Sequence, residues 1–213
     1  MTPTARGDSP AAAGGAVGAA TIPCHEPTQR VVAIIQARLG SSRLPRKVLA
    51  EIEGKPVLQR VVERARLIRG VEHVVVAVPY DEHELISACE KLGVNVYSGH
   101  PTDVLGRILG AAKRNDAEVI VRLTGDCPLL DPEFSSRVVE SFMEGGCDYA
   151  HNLAPDTDGF DTEVLSRWAL RVADERSNGQ DREHVTRGLR GLPEVRKQFI
   201  AAAPCRPPTV TIS

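Results

Sequence analysis

From Arg30 onward, short apolar runs take turns with longer stretches of helical apolar spacing, and this alternation leaves few architectures open. "VVAII" (31–35) and "HVVVAV" (73–78) are β-branched runs of the kind a parallel sheet buries on both faces. Between them, Pro56 stands where a helix can open, and Val57, Leu58, Val61, Val62, Ala65 and Ile68 recur at helical spacing. Asp81 and Glu84 have the D-x-x-E spacing of a capping arrangement, ahead of a face made by Leu85, Ile86, Cys89 and Leu92. "VNVYSG", "EVIVRLTGD" (118–126), "CDYAHN", "FDTEVLS", "RKQFIAAA" and "TVTIS" read as further strands. "DVLGRILGAAKRN", "EFSSRVVESFMEGG", "RWALRVADER" and "DREHVTRGLRGL" read as helices. The pattern predicts an α/β fold of three layers, a mostly parallel twisted sheet with helices on both faces. Ligands of such sheets sit beyond the carboxyl ends of the strands.

Two loops lie at such ends. "QARLGSSRLPRKVL" (36–49) follows the first strand and carries Arg38, Arg43, Arg46 and Lys47 around Gly40, Ser41 and Ser42. Gly and Ser let several backbone N–H groups face one anion, while arginine forks and a lysine add charge-assisted hydrogen bonds. The spacing is not that of the common P-loop. A triphosphate is the anion that this much positive charge suits. Its metal would be magnesium, which prefers carboxylate oxygens and keeps several waters. Asp126 in "TGDCP", at the end of the strongest later strand, is the candidate ligand. Asp131 in the same loop reads as the N-cap of the helix that Pro132 opens. Cations on the phosphates and a metal on Asp126 together describe nucleotidyl transfer, a chemistry of positioning and charge compensation. Arg38, Lys47 and Asp126 carry it; Arg122 and Thr124, on one face of the preceding strand, line the nucleotide cleft.

Composition excludes other classes. The net charge of −2 over 213 residues gives no basic excess for a general nucleic-acid binder. Residues 1–28 include "AAAGGAVGAA", which is too short and glycine-rich to span a membrane and lacks the basic start of a signal peptide. They read as a disordered tail before a single domain at 29–213. The five cysteines, Cys24, Cys89, Cys127, Cys147 and Cys205, show no metal or redox spacing and read as reduced thiols of a cytoplasmic protein. Trp168 reads as a packing residue on an amphipathic helix.

"IIQARLGSSRLPRKVL", "GKPVLQRVVERA", "VRLTGDCPLLDP", "GFDTEVLS" and "DREHVT" resemble the spore-coat polysaccharide biosynthesis protein F family, over about Val31 to Ile212. That family is related to the cytidylyltransferases that activate acidic sugars such as octulosonate and neuraminate. The resemblance implies a nucleotide-diphospho-sugar transferase (GT-A-like) fold, CTP as donor, Mg2+ as cofactor and an acidic or modified sugar as acceptor. It implies triphosphate binding at Arg38, Ser42, Arg43 and Lys47 and metal binding at Asp126. It places Asp158, Asp161, Glu183 and His184 on the sugar side. A homodimer is compatible with it. The sequence departs from the family at Arg46, where related loops usually have Gly, and after "TVTIS", where relatives continue with an acid and a closing helix. Ser213 falls at or near that acid's position, so the resemblance implies an incomplete metal site. Two other readings stand beside the cytidylyltransferase: a nucleotide-binding relative with little turnover, and a glycosyltransferase using a ready-made nucleotide sugar.

Overall fold

The computed structural model describes residues 29–41, 43–153 and 159–201. The tail at 1–28, the "TVTIS" strand, Ser42, Asp158 and Ser213 lie outside the described residues. Seven strands form the main sheet: β1 (Val31–Gln36), β4 (His73–Pro79), β5 (Asn95–Gly99), β6 (Val119–Thr124), β7 (Tyr149–His151), β8 (Glu163–Ser166) and β9 (Lys197–Phe199). Their spatial order is β5-β4-β1-β6-β8-β7-β9. All neighbours pair in parallel except β8, which runs against both β6 and β7.

The strand alternation assigns the two faces. Ala33, Ile35, Val74, Val76, Val78, Val121 and Leu123 face one core, covered by α1 (Val57–Ala65), α2 (His83–Lys91) and α4 (Pro132–Gly145). Val32, Ile34, Val75, Ala77 and Ile120 face the other, covered by α3 (Val104–Arg114) and α5 (Arg167–Arg176). A sheet buried on both sides explains why these strands are almost wholly apolar. The predicted three-layer fold is the one observed.

Local chemistry ends the helices as expected in some places and not in others. Asp131 caps α4, its carboxylate accepting from the N–H groups of Glu133 at 2.9 Å and Phe134 at 3.3 Å. Asp103 does the same for α3 through Gly106 N–H at 2.9 Å. Asp81, however, caps nothing: α2 follows Glu82, whose φ of −93° and ψ of 64° bring no side-chain cap. Glu82 instead turns outward to the basic loop. "DREHVTRGLRGL" is not one helix. It is broken into α6 (Gln180–His184) and α7 (Arg187–Arg190) at Val185, which is buried at φ 55°. Burial of the Val185 side chain holds a turn that helical spacing alone would not predict, closed by Thr186 N–H on the His184 carbonyl at 2.6 Å. Trp168 is 48% exposed rather than packed. The small hairpin β2 (Glu51–Ile52) and β3 (Lys55–Pro56) turns through Glu53 and Gly54, both at positive φ. Cys89 and Cys147 are buried and Cys127 is half-buried, and none of the three is in a disulfide among the described residues.

Candidate functional site

Strands β1 and β6 are parallel neighbours, with Gln36 opposite Thr124, so the loops that follow them leave the sheet side by side. Gly125 makes this approach possible. Its N–H donates to the Gln36 carbonyl at 2.8 Å, and a Cβ there would stand 3.1 Å from that oxygen and 3.0 Å from the Ala37 Cβ. The loop after β1 is closed by two bonds: Arg46 N–H donates to the Leu39 carbonyl at 2.9 Å, and Leu39 N–H to the Glu82 carboxylate at 2.8 Å. Arg46 takes a left-handed conformation, φ 61° and ψ 22°, where a glycine carries no steric cost. Its side chain pairs with Glu84. A single helical turn, Lys47–Leu49, then anchors the loop through buried Val48.

The result is a cleft in two connected lobes. The first, a cavity of about 300 Å³, is lined by Arg38, Gly40, Ser41, Arg43 and Lys47 from the basic loop, by Arg122, Thr124 and Asp126 from the β6 side, and by Glu183 and His184. The second, about 260 Å³, is lined by Arg122, Thr124, Asp161, Glu163, His184, Arg187 and Arg190, among others. Arg122, Thr124 and His184 belong to both, so they form the wall between the lobes. Of the residues expected from sequence, Glu183 lies in the first lobe rather than beside Asp161.

Opposite charges already meet across the first lobe. Lys47 Nζ pairs with the Asp126 carboxylate, and Arg38 Nη1 with Glu183 at 3.0 Å. Burial opposes ionisation of Asp126, but hydrogen bonding and attraction from the Lys47 ammonium outweigh it and hold the carboxyl below its ordinary range. Thr124 Oγ1 lies 2.9 Å from the Cys127 Sγ and so helps to fix the turn that presents Asp126.

Four residues that line the cleft carried no signal in the sequence. Gln36, the last residue of β1, accepts from Arg122 Nε at 3.2 Å and Nη2 at 2.9 Å. Arg107, on α3, is only 2% exposed. Its Nη1 donates to the carbonyls of His100 and Pro101 at 2.6 and 2.8 Å, its Nε has no partner among the described residues, and burial lowers its pKa. Glu163 is buried under the second lobe, and Arg190 reaches it from α7. Only the side of β8 on which Glu163 falls, opposite Arg122, could have drawn attention to it.

A divalent ion fits what is present. Among the described residues no group of three or more His, Cys, Asp or Glu side chains is arranged to cage a metal. Asp126 offers one carboxylate, about a third exposed, where a cation (the Lys47 ammonium) already sits. One protein carboxylate, completed by substrate phosphates and water, is a donor set that magnesium accepts. No helix among the described residues is long and apolar enough to cross a membrane.

Residues 32–194 match the protein-family model described as cytidylyltransferase. The chain is 33% identical over 183 residues to the spore coat polysaccharide biosynthesis protein SpsF of Bacillus subtilis, covering 81% of this chain and 75% of that protein. It is 38% identical over 130 residues to a 3-deoxy-manno-octulosonate cytidylyltransferase of Anaeromyxobacter sp., a match that takes in 60% of this chain and about half, 52%, of that protein. Among solved structures it resembles a cytidylyltransferase from Leptospira borgpetersenii with a TM-score of 0.76 and 29% identity, over 82% of this chain and 76% of that one.

Proposed function

Because the chain belongs to the cytidylyltransferase family, we propose that it transfers CMP from CTP to a hydroxyl of an acidic or modified sugar, for surface polysaccharide biosynthesis. The observation that carries this reading is the meeting of the basic loop with Asp126 across one lobe, with a second lobe beyond Arg122 and His184. Arg38, Arg43 and Lys47, with Gly40, Ser41 and Ser42, hold the triphosphate. Arg122 and Thr124 lie under its α-phosphate. The sugar occupies the second lobe, against Asp161 and His184, and Asp158 of the same sequence motif contributes to its binding. The hydroxyl oxygen bonds to the α-phosphorus as its proton passes to solvent, the bond from the α-phosphorus to the oxygen bridging to the β-phosphate breaks, and pyrophosphate leaves. Asp126 would hold a divalent ion, magnesium by its donor set, which supplies charge neutralisation at the phosphates. In that state Lys47 gives up Asp126 and turns to the phosphate oxygens. Arg38 similarly exchanges Glu183 for phosphate. CTP is a cytoplasmic nucleotide, so the reading places the reaction in the cytoplasm.

The test is incubation of the chain with CTP, Mg2+ and either 3-deoxy-manno-octulosonate or N-acetylneuraminate, with pyrophosphate and the CMP adduct both measured. Equal amounts of the two are expected. CTP binding without adduct from any acidic sugar would refute turnover and leave a nucleotide-binding protein. Consumption of a ready-made CMP-sugar by transfer to an acceptor would identify a glycosyltransferase instead.

A further inference from the structure

The Glu163 carboxylate, beside the cleft, is bonded through both oxygens, though only 1% of the residue is exposed. Its Oε1 accepts from the Tyr149 hydroxyl, from Thr186 Oγ1 at 2.5 Å and, more loosely, from Arg190 Nη2 at 3.5 Å. These donors come from β7, from the segment after α6 and from α7, so one oxygen is fixed from three directions. The other, Oε2, meets Arg122 Nη1 alone among the described residues. Arg122 and Glu163 are register partners across the antiparallel β6–β8 pair.

Arg122 is held from its other side by Gln36, which takes one N–H from Nε and one from Nη2. A guanidinium has five N–H bonds. Three are engaged by Gln36 and Glu163, which leaves one on Nη1 and one on Nη2 without a partner among the described residues. The same side chain, 12% exposed, lies in the wall shared by the two lobes. A buried ion pair that served only stability could be replaced by apolar packing at little cost. This one is built at the edge of a cleft, and its cation has donors to spare.

We propose that Glu163 is a positioning residue: braced by Tyr149 and Thr186, it holds Arg122 so that the two remaining guanidinium N–H bonds meet the phosphate transferred between the lobes. This rests on the cytidylyl-transfer reading. Glu163 touches no substrate itself. Through Thr186 and Arg190 it also ties the sugar-side wall to the strand beneath the nucleotide.

The experiment uses the full chain and four variants: Glu163→Gln, Thr186→Val, Arg122→Lys and the double variant Arg122→Lys/Glu163→Gln. With CTP and 3-deoxy-manno-octulosonate as probes, kcat is expected to fall by about 100-fold in Glu163→Gln, the cost of an ångström of misplacement. CTP affinity by calorimetry should stay close to the native value, because the basic loop carries it. The double variant should lose no more than Arg122→Lys alone, as residues acting in one chain are not additive. Should Glu163→Gln fail to fold, Thr186→Val, which loosens the carboxylate and keeps its charge, should show the same fall in kcat with unchanged CTP affinity. A native kcat in the folded variant, or losses that multiply in the double variant, would overturn the proposal. If the native chain turns over no acidic sugar, the transfer reading has failed, and the positioning claim is then read from the Arg122 Nε–H resonance. That signal should be sharp, should shift on adding CTP, and should collapse in Thr186→Val; an unaltered signal in the variant would overturn it.

Discussion

Replacing Lys47 with Met removes the ammonium that faces Asp126 and leaves most of the stem. Both partners of this pair are about one-third exposed, 34% and 33%, so solvent screens it and a full interior Coulomb energy does not apply. A charge-assisted hydrogen bond contributes about 1.5–3 kcal/mol, and the lower end suits this exposure. In the free chain that bond is made to Asp126; on nucleotide binding it passes to a phosphate oxygen. The exchange is favourable only when a metal ion takes over the carboxylate. Lys47→Met should therefore weaken CTP binding by about 1.5 kcal/mol, roughly tenfold, when Mg2+ is present. With the metal chelated, the loss should be much smaller, because Lys47 cannot leave Asp126 without stranding a half-buried charge. Calorimetric titration with CTP in Mg2+ and in chelator measures both. The variant should also reverse a pH effect. In the native chain the Asp126 carboxyl is held low, so its contribution to stability is present above the unfolded value of about 3.9 and is lost as pH falls through the lower folded value. Without Lys47, burial, the largest influence, is opposed only by the weaker hydrogen bonds from the Asp126 backbone and Thr124, so the folded pKa rises, and stability should fall as pH rises through it. Equal losses of CTP affinity with and without metal, or an acid-side stability profile identical to the native one, would refute the exchange.

Asp126→Asn keeps the shape of the turn and removes the charge; the tightening of CTP binding by Mg2+ should disappear while the melting temperature changes little, as calorimetry and a thermal melt will show. Gly125→Ala places a Cβ against the Gln36 carbonyl and Ala37, an overpacking that should cost about 1–3 kcal/mol and lower the melting temperature by roughly 3–10 °C.

The sheet was legible because β1, β4 and β6 are buried on both faces and so write their burial into a run of adjacent residues. The two loops were legible for a related reason: each follows such a run. Asp131 was found because capping is a contact over two or three residues. Glu82 was not, since its partner, the Leu39 N–H, is 43 residues away and Asp81 beside it matched the local pattern better. Arg107 and Glu163 fail for the same cause. A charged residue on an amphipathic helix, or one acid in "DTEVLS", looks solvated until the elements that bury it are in place. The break at Val185 belongs with these, because tertiary packing overrides the helical spacing around it.

The reversed strand β8 bears on how the molecule assembles. Strands β1, β4, β5 and β6 come from residues 31–124 and can join through successive strand–helix–strand units. The sugar-side half is attached to this platform through the pairing of β8 with β6, whose register partners Arg122 and Glu163 stand 41 residues apart. Strand β8 has no edge to dock on until β6 has joined β1, so its loop closure follows that non-local pairing and costs further entropy before it yields contacts. Until β8 docks, the Arg122 guanidinium keeps its water; afterwards it is desolvated against Glu163. The amides of Ile120 and Arg122, which face β8, are thus expected to remain open to exchange longest among the central strands during refolding, a prediction that their early protection would contradict. The cleft would then be the last part of the molecule to acquire its shape, formed in the same event that hides an unpaired strand edge from other chains.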